Sequence, residues 1–121
     1  MGKHPSLLHR LTASVSNLDA AELREEVEQR SCVPLRELQR GGCVQVVGRL
    51  RAVVYTPSET VPTLEAELFD GSDSIDLVWL GRRRITGVEP GRRVVARGRV
   101  GTHSGRKVIY NPWYELLPPG Q

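Results

Sequence analysis

Three consecutive arginines, Arg82-Arg83-Arg84, follow an apolar alternating run and precede Ile85. Guanidinium groups at adjacent positions repel one another unless an anion is near, and a helix that might spread them is disfavoured by Gly81 and Gly87. The chemistry that suits such a cluster is phosphate contact, because the planar guanidinium fork stays charged and matches phosphate oxygens. Further cations follow at Arg93, Arg97, Arg99, Arg106 and Lys107. From Gly81 to Lys107 nine bases stand against one acid, Glu89, a local charge of +8. From Tyr55 to Leu80 there are six acids and no base, a local charge of −6. The net charge of +3 is too modest to imply a nucleic-acid binder by itself, so the distribution carries the information. A chain divided in this way acts on charged partners at a distance.

Each feature also has a plainer reading. Fifteen of the seventeen bases are Arg, a bias that a GC-rich genome also produces. Arg93, Arg97 and Arg99 alternate as the solvated face of a strand does, and such residues discourage edge pairing. Among the aromatic residues, Tyr55, Phe69 and Tyr110 are the candidates for stacking on a base. Trp79 shares a face with Ile75 and Leu77 and reads as core, while Trp113 and Tyr114 read as anchors of an apolar tail.

Catalysis finds little footing. His4, His9 and His103 lie in an arm and a hairpin tip, away from any nucleophile with an orienting carboxylate. No His, Cys or acidic cluster has metal-ligand spacing, and no Gly-rich loop opens a helix. The expectation is a protein that is not an enzyme and carries no cofactor or metal. Cys32 and Cys43 are too few and too widely spaced for a disulfide scaffold, so free thiols in the cytoplasm are expected. No signal peptide or membrane-spanning stretch is legible.

The elements that must position these residues are short. Residues 1–15 read as a loosely held arm and Leu18 to Arg30 as a short helix, with Asp19 and Glu22 as its start signal. Leu35 to Leu38 allows one further turn. The period then changes to two. Val44, Val46, Gly48, Leu50 and Ala52 share one face of a long strand in which Gly48 marks a bulge or bend. Residues 64–69 and 75–80 alternate likewise around the Asp70-Gly71 turn, and Pro90-Gly91 introduces a fourth strand over 92–100. A hairpin tip at Thr102 to Gly105 leads into a fifth, from Arg106 to about Asn111. Short strands broken by turns predict an all-β sandwich or small barrel.

V-x-V-x-G-R-L in the first strand and V-V-A-R-G-R-V in the fourth, on five strands behind a capping segment, resemble the OB-fold. The resemblance spans residues 34–117, leaving 1–33 as an arm with a short helix and 118–121 as a tail. It is strongest to the OB modules of branch-migrating helicase wedges and of tRNA anticodon-binding domains. L-E-A-E-L-F-D-G, L-V-W-L-G-R-R and I-Y-N-P-W-Y-E-L also look like small stand-alone OB proteins of high-GC bacteria. The resemblance implies a five-stranded Greek-key barrel preceded by a short N-terminal helix. It also implies ligand binding on the strand 2–3 face and at the loops from Tyr55 to Pro62 and from Gly101 to Arg106. The sequence departs from that pattern at Glu65, Glu67 and Asp76, acids on the outward positions of that face. Strand pairing of this kind places Arg49 and Arg51 beside Glu65 and Glu67, where opposite charges attract.

The function expected is binding of nucleic acid, single-stranded or junction DNA or RNA, with little sequence preference. Phosphate contacts are expected from Arg82, Arg83, Arg84, Arg97, Arg99, Arg106 and Lys107, and base stacking from Tyr55 or Tyr110. The rival expectation is a protein adaptor or homo-oligomer that docks through the acidic strand 2–3 face.

Overall fold

A computed structural model describes the backbone of residues 7–119 and the side chains of residues 18–119. Helix α1 spans Leu7–Gln29, so the part of the expected arm that falls within the described residues is helical and the helix begins eleven residues earlier than expected. Residues 1–6, with His4, lie outside the described residues, as do the last two of the tail. A 3-10 turn at Leu35–Glu37 takes the place expected for the further turn. The strands are β1 Cys43–Thr56, β2 Thr63–Phe69, β3 Ser74–Leu80, β4 Arg93–Arg99, β5 Gly101–His103, β6 Arg106–Tyr110 and β7 Trp113–Leu116.

These strands form one sheet in the order β5-β6-β3-β2-β1-β4-β7, with only β3 and β6 parallel. The fold is therefore mostly β behind one helix, as expected, but with seven strands instead of five and without closure into a barrel. Two local causes account for the count. The expected fourth strand ends one residue early, at Arg99, with Val100 beyond it donating to Gly42 O and accepting from Gly41 N, and an additional strand begins where the hairpin tip was expected. That strand, β5, pairs with β6 at the opposite end of the sheet. The expected apolar tail is itself a strand, β7, laid against β4. Although no ladder joins them, β4 and β6 approach closely where Gly98 faces Ile109, and a Cβ at Gly98 would collide with the Ile109 side chain.

The core lies inside this curl. Val46, Leu50, Leu68, Ile75, Leu77, Val94, Ala96 and Ile109 fill it, and Leu35 of the 3-10 turn is buried with them. Trp79 belongs to the same core and meets Tyr114 edge-on at 5.6 Å. A second, smaller cluster of Val27, Cys32, Val47, Val95 and Leu117 lies under α1. The adjacent apolar residues Val46-Val47 and Val94-Val95-Ala96 follow from this, since those strand segments are covered on both faces.

The bulge falls between Leu50 and Ala52, not at Gly48. One extra residue reverses the alternation, so Val53 and Tyr55 pack against the core while Ala52 is exposed, contrary to its expected place beside Leu50. Gly48 has a different role. The Phe69 carbonyl of β2 occupies the space that its Cβ would need.

Candidate nucleic-acid interface

The connection from β3 to β4 is irregular and held at both ends. Gly81 N donates to Pro62 O at 2.7 Å, fixing it to the loop between β1 and β2. Ile85 and Val88 are buried, which pins the far side. Between these anchors Arg82, Arg83 and Arg84 are exposed. Among the described residues none of the three has an ion-pair or side-chain hydrogen-bond partner. The Arg83 guanidinium lies 5.7 Å from the Tyr55 ring centroid. Tyr110 joins this end of the sheet, because Asn111 beside it donates to Val78 O and accepts from Leu80 N. Arg82, Arg83, Arg84 and Tyr55 thus lie at the end of β3, while Tyr110 is paired with Val78, two residues before that end.

The remaining candidates are elsewhere or already engaged. Arg106 binds both oxygens of Asp76, at 2.8 and 2.9 Å, and reaches Glu67 at 3.4 Å. The hydrogen bond and the negative charge of Asp76 hold its guanidinium above the usual arginine range. Lys107 donates to Leu35 O at 3.0 Å and lies 4.0 Å from Asp73. Arg99 donates to Gly41 O, and Arg97 stacks on Trp113 with 3.9 Å to the ring centroid.

Arg51 pairs with Glu67 at 3.1 Å as expected, whereas Arg49 pairs with Asp19 of α1 at 3.0 Å and not with Glu65. Register explains the difference: Arg49 stands between Phe69 of β2 and Arg93 of β4, four positions from Glu65, where it reaches Asp19, while Arg51 is the bulged residue next to the Ala52–Glu67 pair. Arg51, Glu67, Arg106 and Asp76 therefore form a neutral network across the strand 2–3 face. Glu65 is exposed and has no ion-pair partner among the described residues. Cross-strand register sets it in the row Val54–Glu65–Val78–Tyr110.

A solved structure of RecG bound to a three-way DNA junction matches 73% of this chain, with TM-score 0.59 and 24% sequence identity. The likeness is one of fold. This chain corresponds to 12% of the RecG chain, so the match is to a small part of a much larger protein. No protein-family model matches the chain, and no curated protein matches it.

Other features have simpler accounts. Among the described residues no group of three or more His, Cys, Asp or Glu is placed to hold a metal, and no helix is long and apolar enough to cross a membrane. Cys43 is exposed and Cys32 buried, and burial raises the Cys32 thiol pKa above its ordinary value. Trp113 is the residue that sequence reasoning misplaced. Its neighbour Tyr114 turns inward to Trp79, so alternation turns Trp113 outward, where it is 47% exposed. The paired outward positions of strands four and seven carried that signal.

Proposed function

We propose that this domain binds nucleic acid with little sequence preference, through phosphate contacts at the Arg82–Arg84 connection. One observation carries the reading: three adjacent exposed guanidinium groups, without partners among the described residues, are held on an anchored loop. The fold likeness to a protein whose structure holds a DNA junction supports it. Tyr55 borders the same loop beside Arg83, and Tyr110 offers an exposed ring on the strand next to β3. The reading is of a binding protein, not an enzyme, and involves no cofactor.

The test is titration of labelled single-stranded, duplex and three-way-junction oligonucleotides at two salt concentrations. Binding that weakens steeply with salt, and is reduced when Arg82, Arg83 and Arg84 become Ala, is the expected outcome. Absence of binding at low salt overturns the function. Unchanged binding by the triple variant overturns the site.

A second reading has its own observation. Val54, Leu80 and Tyr110 are exposed apolar side chains around the unpaired Glu65. That combination suits a protein partner with a basic, apolar surface. Its mark would be an association abolished by Glu65→Arg while nucleic-acid affinity stays intact.

A further inference from the structure

Outside the Arg82–Arg84 loop, one cross-strand row of the sheet has a composition that the fold does not use. Gln45 of β1, Arg97 of β4 and Trp113 of β7 are register partners on the outer face. Further along β4 and β7, the same outer face is covered by α1 around Val47 and Val95. Gln45 is half-buried and donates to Cys32 Sγ of the cluster under α1, while Arg97 and Trp113 of the same row escape the cover. Arg97 is exposed and lies over the Trp113 ring at 3.9 Å. Arg99 follows on the same strand face, exposed and opposite Cys43. Among the described residues neither Arg97 nor Arg99 has a carboxylate partner.

An outward indole on a terminal strand contributes nothing to the core. A flat guanidinium lies over its ring, which sets aromatic surface and positive charge side by side. Arginine planes and aromatic rings both stack on nucleobases, and the neighbouring cations suit the phosphates on either side of a stacked base.

We propose that Trp113 and Arg97 form a base-stacking platform, with Arg99 as a flanking phosphate contact, making a second nucleic-acid contact separate from the Arg82–Arg84 loop. Gln45 in this row and Tyr55 beside the loop are ten residues apart on β1, a contour of about 33 Å. Two such contacts engage either a strand that runs around the sheet or two arms of one branched molecule. The proposal rests on the nucleic-acid reading above and specifies how unpaired bases are held.

The experiment compares the full chain with Trp113→Ala and Trp113→Phe on a single-stranded oligonucleotide of about 16 residues and on the same oligomer with abasic sites. The expected result is a loss of about 5- to 150-fold for Trp113→Ala on the intact oligomer. Phe should restore most of the affinity, and the abasic oligomer should show no difference among the three proteins. Tryptophan emission should be quenched on binding in the native chain but not in Trp113→Phe, where only the buried Trp79 remains. Equal binding by all three proteins to the intact oligomer overturns the platform and leaves the Arg82–Arg84 reading standing. Equal losses on both oligomers also overturn it, since the ring would then act as support for the strand. If the native chain binds neither oligomer, both readings fall. Tight peptide capture that depends on Trp113, without base dependence, would assign the row to a protein partner instead.

Discussion

Asp70 is the one buried charged residue of the described core, at 1% exposure, and its surroundings account for its burial. One carboxylate oxygen accepts from Leu35 N at 2.8 Å. The other accepts from Ser72 N, Ser72 Oγ and Asp73 N. A single side chain thus closes the β2–β3 turn and ties it to the 3-10 turn that fills the base of the core. Asp70→Asn should cost about 2–3 kcal/mol, because its amide donors would face the Leu35 N–H. Denaturant unfolding would measure this, and a change below about 0.5 kcal/mol would show that the turn does not depend on the charge. Asp70-Gly71 was legible as a turn from sequence. The link to Leu35, 35 residues away, was not, because a turn signal specifies only its own neighbours.

At the scale of elements, α1 is held to the sheet by apolar contacts and by charges of opposite sign. Leu23 and Val27 are buried, and burial of each side chain contributes about 1.5–3 kcal/mol. Glu26 binds Arg93 at 3.1 Å, with both side chains only 14% exposed, and also meets Arg30 at 2.9 Å. Asp19 and Arg49 make a second, more exposed attachment. Glu26→Ala should destabilise the protein by about 1–3 kcal/mol, since the largely buried Arg93 would remain without its counter-ion. Denaturation in urea tests this, and restoration of native stability by the further change Arg93→Met would identify the stranded charge as the cause. The helix stripe of Leu23 and Val27 was legible in the sequence. Its partner strand was not, and the outward reading of Arg93 missed Glu26, 67 residues earlier.

At the scale of the whole molecule, tertiary pairing redistributes the charge seen along the chain. The −6 and +8 segments partly cancel across strands, through Arg106 with Asp76 and Glu67 and through Lys107 with Asp73. Arg82, Arg83 and Arg84 form no ion pair among the described residues, so their charge at the end of β3 is not cancelled in this way. Each phosphate neutralised contributes about 0.7 to the slope of log K against log salt for single strands and about 0.9 for duplex. Changing all three to Ala should therefore lower that slope by about 2–3. An unchanged slope with reduced affinity would mean that the loop acts by shape and not by charge. Apolar alternation, turn residues and the clustering of arginines were all written locally, and they determined the β-rich class, the positions of five of the seven strands and the stretch of highest charge. The bulge after Leu50, the additional strand β5 after Val100, the outward Trp113 and the division of arginines into paired and unpaired were decided only by tertiary structure. Each depends on partners brought together across strands, and the period of a single strand does not encode its register against its neighbours.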